Sequence, residues 1–204
     1  MKTKDPYLYD DIDVLRNLLN IRDEKLLEEA ESDITYIKLL DIDKLTYNSD
    51  FNVDYIKCLH RYIFEDIYEW AGKFRTIPII KGERVLGGDT VRYSSPQNIE
   101  NDLYDAINEM HNINWSVLTI DETAEKFTRH IAKIWKIHPF REGNTRTIIT
   151  FATQFAAHNG FAMDKNLLRD CAGYVRDALV KASDGQYADF SYLQNIFKDA
   201  ILKG

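Results

Sequence analysis

The sequence predicts a mainly α-helical domain interrupted by one β-hairpin. Three observations carry that expectation. Apolar residues recur at three- and four-residue spacing in successive stretches from Asp23 to the C-terminal end. A single β-prone segment, 74–93, breaks the pattern, with Gly82, Gly87 and Gly88 between its two halves. No internal repeat or low-complexity linker is visible and only four prolines punctuate 204 residues, so 1–204 reads as one domain.

The elements follow in order. Asp23 can cap a helix running to about Leu40, with Leu26, Leu27, Ala30, Ile34, Ile37 and Leu40 as its apolar stripe. Val53 to Trp70 repeats the pattern through Ile56, Leu59, His60, Ile63, Phe64 and Ile67, and Gly72 is a stop signal just beyond. Thr76-Ile77-Pro78-Ile79-Ile80 and Thr90-Val91-Arg92-Tyr93 form the two arms of the expected hairpin. Ser95-Pro96 opens the next helix, serine as cap and proline in the first turn. Asp121 begins a helix to about Ile137 that buries Phe127, Ile131, Ile134 and Trp135. Asn144 begins another that carries Ile148, Phe151, Ala152, Phe155 and Ala156 and stops at Asn159-Gly160. Two further helices are expected near 164–181 and 188–202.

Composition narrows the function classes. With 33 acidic and 26 basic residues the net charge is −7, which argues against a nucleic-acid binder, whose affinity rests on neutralising phosphates, yet leaves room for a nucleotide held in a local positive pocket. No apolar run approaches the roughly 20 residues that span a bilayer, and Met1-Lys2-Thr3-Lys4-Asp5-Pro6 leads into no apolar core of a signal peptide. Cys58 and Cys171 lie too far apart for a metal-binding pair, and Cys58 falls in an apolar helical pattern as a reduced core residue. The expected compartment is the cytoplasm, with delivery as a secreted effector the alternative.

The chemistry concentrates in His138-Pro139-Phe140-Arg141-Glu142-Gly143-Asn144-Thr145-Arg146. Pro139 ends one helix because it has no N–H to donate, which leaves His138 at the helix exit. With an unperturbed pKa of about 6.5 an imidazole there suits a general base, or it caps the last carbonyls. Gly143-Asn144 starts the next helix, whose first turn leaves N–H groups unpaired and partly positive, a seat for phosphate; Asn144 otherwise serves as a plain N-cap. Glu142 is an oxygen ligand of the kind Mg²⁺ takes beside phosphates and waters, or an acid favoured by the helix dipole. Arg146 lies within reach of an anion in that first turn, or is a solvated charge. Arg141 reads either way, and Phe140 is an apolar anchor for the loop.

This stretch closely resembles the Fic family signature, His-Pro-Phe-x-Asp/Glu-Gly-Asn-Gly/Lys-Arg, with all but one position in agreement. The resemblance extends to Phe64-Glu65-Asp66-Ile67-Tyr68-Glu69-Trp70-Ala71-Gly72-Lys73 and the Lys81-Gly82 pair, which look like the family's helix and flap, and to Asp5-Pro6-Tyr7 and Asn17 to Asp23. It covers nearly the whole chain. It implies a Fic-type helical bundle with a hairpin flap at about 74–93 and a signature loop at 138–146. It also implies transfer of AMP from ATP, with Mg²⁺, to a Tyr, Thr or Ser hydroxyl of a protein. On that model His138 is the catalytic base and Glu142 carries the metal. Lys81, Gly82, Arg141, Glu142, Gly143, Asn144, Thr145 and Arg146 line the nucleotide site, and the flap registers the target segment by main-chain pairing.

Two positions depart from the family pattern. Residue 145 is Thr in place of Gly or Lys, which either crowds the phosphate cradle or adds a hydroxyl donor. Residue 149, where many AMP-transferring members carry a second arginine for the γ-phosphate, is Ile. The Ser/Thr-x-x-x-Glu motif by which many members restrain themselves is absent from the sequence, and Ser183 to Leu193 holds no glutamate, its acidic residues being Asp184 and Asp189. The expectation is therefore a chain with no glutamate brake of that kind, inhibited by a small separate antitoxin-like protein or not in this way, with homo-oligomerisation open. Rival readings use the same site to transfer phosphate, another nucleotide or phosphocholine, or to remove AMP. A non-enzymatic interaction module and a ligand-free helical bundle stand further off.

Overall fold

The computed structural model describes residues 5–44 and 50–202. The first four residues of the N-terminal reading, and the two extremes of the 1–204 domain assignment, lie outside the described residues. Among the described residues eight α-helices follow one another: α1 (Glu24–Leu40), α2 (Val53–Phe64), α3 (Ile99–His111), α4 (Ile120–Ile137), α5 (Asn144–His158), α6 (Lys165–Asp170), α7 (Ala172–Ala182) and α8 (Ser191–Ala200). None is long and apolar enough to cross a membrane.

Helix α4 is the hub, packed on α3, α5, α7 and α8, while α2 packs on α1, α3 and α5. Its start is fixed by a reciprocal capping box between Thr119 and Glu122. Its buried stripe includes Phe127, Ile131, Ile134 and Trp135, as the spacing predicts. Phe127 meets Trp115, Phe155, Phe161 and Phe197 at ring-centroid distances of 5.2–6.3 Å, mostly edge-on or tilted, as ring quadrupoles prefer. Each such side chain contributes about 1.5–3 kcal/mol on burial.

Five expectations change. Helix α1 does not bury the stripe read from its sequence: Leu26, Ile37 and Leu40 are exposed, and its buried residues are Leu27, Glu31 and Thr35. Helix α2 stops at Phe64 rather than Trp70. The chain leaves the helix in tight turns because the Ile67 carbonyl accepts from Leu18 N–H at 2.8 Å and the Tyr68 hydroxyl is bound by Glu31. Helix 164–181 is broken at Cys171 into α6 and α7. Pro96 opens a 3₁₀ turn, Pro96–Asn98, before α3 begins at Ile99.

The fifth change concerns the hairpin. Among the described residues 74–93 hold no β-strand. The segment folds back on itself, but its two sides are joined close to the turn by two backbone bonds, Glu83 N–H to the Asp89 carbonyl at 2.8 Å and Gly88 N–H to the Glu83 carbonyl at 3.0 Å, around a 3₁₀ turn at Arg84–Leu86 that closes through Gly87 in the left-handed region. The reason lies at the base. Pro78 has no N–H, and the guanidinium of Arg75, itself buried, takes the carbonyls of Ile77 and Ser94 that a ladder would need.

Candidate active site

His138 is the C-cap of α4 and adopts the left-handed region, φ 53° and ψ 62°. That conformation costs a non-glycine residue about 1–2 kcal/mol, and the surroundings hold it. Its N–H donates to the Trp135 carbonyl at 3.0 Å, and its own carbonyl accepts from Arg75 Nε at 2.7 Å. Arg75 N–H in turn donates to the Pro139 carbonyl at 2.9 Å. The imidazole stacks on Tyr93 with centroids 4.1 Å apart and meets Trp135 edge-on. Neither ring nitrogen has a hydrogen-bond partner, although the residue is almost fully buried. Burial first, then the positive charges of Lys81, Arg75 and Arg176, push its pKa down to about 3, against an opposing pull from Glu142. The ring is therefore neutral at physiological pH.

The loop that follows is pinned from below. Phe140 is fully buried and stacks on His60 at 3.7 Å, the anchoring expected of it. His60 accepts from Gly72 N–H through Nδ1 at 2.8 Å, so its Nε2 carries the proton and donates to the Glu142 carbonyl at 3.1 Å. The Asn144 side chain spans the loop, accepting from Phe140 N–H and donating to the Phe140 carbonyl, both at 2.9 Å. Gly143, φ 78°, is the N-cap of α5. A Cβ on it would lie 2.2 Å from the Phe64 ring, so glycine is demanded by packing as well as by backbone.

Glu142 lines the same cavity as His138. One carboxylate oxygen accepts from Gly143 N–H at 3.0 Å and the other from Lys81 Nζ at 3.2 Å. Burial opposes its ionisation, but Lys81, the Gly143 amide and Arg146 outweigh it and hold the carboxyl at about 2. The first-turn amides of Asn144, Thr145 and Arg146 have no preceding helical carbonyl to bond. The Thr145 hydroxyl accepts from the Trp135 indole at 2.9 Å, which leaves its own proton free to donate. Arg146 is tied to Glu31 and, at 2.8 Å, to Thr35, with its guanidinium over the Phe64 ring.

A cavity of about 240 Å³ joins these groups. Lys81, His138, Glu142, Gly143, Asn144, Thr145 and Arg146 line it, together with Glu83, Trp135, Ala172 and Arg176. Two residues expected at the site are not part of this wall. Arg141 is bound by the Asp5 carboxylate through Nε and Nη2, at 3.1 and 2.9 Å, and Gly82 faces the Gly88 carbonyl. Sequence reasoning missed Arg75, Tyr93, Glu83, Glu31 and Arg176. Of these only Glu31 had a readable signal. It is the charged member of the 27/31/35 spacing that forms the buried side of α1.

The geometry thus pairs an unpartnered neutral imidazole with a cationic, amide-rich cradle and one ionised carboxylate, a set suited to moving a proton beside a bound phosphate. Among the described residues no group of three His, Cys, Asp or Glu is placed to hold a metal. A magnesium carried mainly on phosphates and water needs only one carboxylate, and Glu142 fits that part.

Comparison with known proteins agrees. Residues 50–156 match the model of the Fic/DOC family. The protein adenylyltransferase VbhT of Bartonella schoenbuchensis is 32% identical over 162 residues, 79% of this chain and 33% of that one, so the chain spans about a third of that relative. A Sinorhizobium fredii protein named "Probable protein adenylyltransferase y4lH" is 31% identical, covering 91% of each chain. Among solved structures, the Bartonella tribocorum BepC protein with bound AMPPNP superposes with a TM-score of 0.81 at 20% identity, over 97% of each chain. Motif, site geometry and these likenesses converge: the chain belongs to the Fic/DOC family.

Proposed function

We propose that this chain is a protein adenylyltransferase that moves AMP from ATP to a hydroxyl side chain of a protein. The observation that carries the reading is His138: a buried, neutral imidazole with both nitrogens unpartnered, in the wall of the same cavity as the first-turn amides of α5. The target oxygen attacks the α-phosphorus, its proton passes to His138, and the bond to the bridging oxygen breaks so that pyrophosphate leaves. The amides at 144–146, the Thr145 hydroxyl, Lys81 and Arg146 meet the phosphate charge as it develops. Magnesium on Glu142 and the phosphates would neutralise charge on the polyphosphate. The VbhT name and the AMPPNP in BepC support ATP as the donor.

The same arrangement explains how a histidine held at about 3 serves as a base. Burial is the first cause of the depressed value, and the charges of Lys81, Arg75 and Arg176 add to it. Phosphate charge on the bound donor opposes those cations and so raises the imidazole from that value.

The 77–80 segment supports docking of the target at the flap. Its backbone pairs with no strand among the described residues, and beyond Pro78, where the Ile77 carbonyl is held by Arg75, the Ile79 and Ile80 backbone groups are left for an incoming extended segment, with Ile80 82% exposed. The free thiols of Cys58 and Cys171 fit a reducing, cytoplasmic setting. A separate inhibitory protein belongs to the proposal too, since the self-restraint motif is missing from the sequence.

The test is incubation with Mg²⁺ and ATP labelled at either the α- or the γ-phosphate, in a host lysate, followed by mass spectrometry of labelled proteins. The expected result is α-label only and an AMP adduct on a hydroxyl residue. A γ-labelled phosphate adduct, or loss of AMP from pre-modified protein, would assign the site to a different transfer.

A further inference from the structure

One wall of the cavity comes from outside the signature. Arg176, on α7, lines it with Glu83. Its Nη2 donates to Glu83 Oε2 at 2.6 Å and its Nη1 to Asp177 Oδ1 at 3.5 Å. The Glu83 side chain is 2% exposed while that of Arg176 is 43% exposed. Glu83 also accepts from the Tyr93 hydroxyl at 3.3 Å, and Tyr93 is the ring on which His138 stacks. A chain of contacts therefore runs from Arg176 through Glu83 and Tyr93 to the catalytic imidazole.

The three cations of the cavity differ in what they have left to give. Lys81 is engaged by Glu142, and Arg146 by Glu31 and Thr35 above the Phe64 ring. Arg176 is the most exposed of them and is anchored on one side by a buried carboxylate. A guanidinium carries five N–H donors in a rigid fork, so two bonds to carboxylates leave others for an anion. A triphosphate with its α-phosphate on the α5 amides also brings two more charged groups that need partners. Ile149 supplies none and lines the neighbouring groove, not this cavity.

We infer that Arg176 binds the distal phosphates of the nucleoside triphosphate donor, and that Glu83, fixed by Tyr93, is the positioning residue that aims it. The inference rests on the adenylyltransferase reading and adds a binding residue that the signature does not contain.

The test compares binding of AMP and of a non-hydrolysable ATP analogue, both with Mg²⁺, to the full chain by calorimetry. Arg176→Gln is expected to weaken the analogue about tenfold or more, the size of a lost charge-assisted bond, and to leave AMP within about twofold. Arg176→Lys should recover part of the loss. Because Arg176→Gln strands the Glu83 carboxylate, the paired variant Arg176→Gln with Glu83→Gln is measured beside it and should show the same selective loss with its melting temperature restored. Arg84→Gln, which cuts only the neighbouring Arg84–Asp177 ion pair at 2.6 Å, should keep the wild-type ratio. Equal weakening of AMP and analogue, or no weakening, would make Arg176 a structural strap and overturn the inference. A wild-type chain that binds neither nucleotide would overturn the donor assignment itself, and this residue's role with it.

Discussion

Gly143 shows how the reason for a residue can differ from the reason inferred for it. In a phosphate seat a glycine lets the ligand approach the backbone closely; the packing makes Gly143 the one residue that fits against Phe64 with φ 78°. Gly143→Ala is expected to cost about 2 kcal/mol or more, from left-handed strain and overpacking together, measured by urea denaturation. A loss of affinity with unchanged stability would restore the ligand-access explanation. For His138 the prediction concerns titration. In the free chain its imidazole should stay neutral well below pH 6, because burial and Lys81 hold it at about 3. Adding Mg²⁺ and an ATP analogue should raise that value, readable from the ring protons by NMR; an unchanged value would mean the phosphates do not share its cavity. The motif's existence was legible in nine consecutive residues. The burial that tunes it was not, because Tyr93, Arg75 and Arg176 reach it from 45, 63 and 38 positions away in a chain whose spacing carries no mark of them.

The elements are legible where periodicity dominates and illegible where side chains replace backbone pairing. Helix α4 has a strict apolar stripe and folds as read. Helix α1 has apolar residues on more than one face, and its buried face was decided by Glu31, which holds Arg146 and Tyr68 together. Glu31→Gln should destabilise the fold by about 1–3 kcal/mol, since one hydrogen-bonded charge is lost in a half-buried cluster. A double-mutant cycle with Arg146→Gln should recover most of that as coupling energy. Additive losses would mean that Glu31 supports α1 by itself. The flap was misjudged for a related reason. Its β-branched residues and glycines signal a hairpin, yet the buried Arg75 guanidinium takes the carbonyls and Glu83 and Arg84 are drawn to Arg176 and Asp177 on α7. No local pattern announces such distant partners.

At the scale of the whole molecule, the buried titratable groups make stability depend on acid. His60 and His138 are each lowered to about 3 in the fold, chiefly by burial, against 6.5 when unfolded. Between those values the unfolded chain takes up protons that the folded chain refuses. Stability is therefore full above pH 6.5 and falls as pH drops towards 3, by up to about 1.4 kcal/mol per pH unit for each histidine. Glu142, lowered from 4.5 to about 2, adds a further loss below pH 4.5. His130, also lowered by burial, adds to the same slope; urea melts at pH 7 and pH 5 should show it, and His138→Ala should reduce it, whereas an unchanged slope would place the imidazole in solvent. The bundle itself was legible because its core is a matter of helical spacing, whereas the cavity depends on residues from α4, α5, α7 and the flap meeting in space. The central claim is that His138 removes the proton while the cradle holds the donor, and it is tested most directly by comparing the native chain with His138→Ala for AMP transfer and for ATP-analogue binding in the same preparation. The account predicts a loss of transfer of about 10²- to 10⁴-fold with binding retained; equal labelling by both proteins would contradict it.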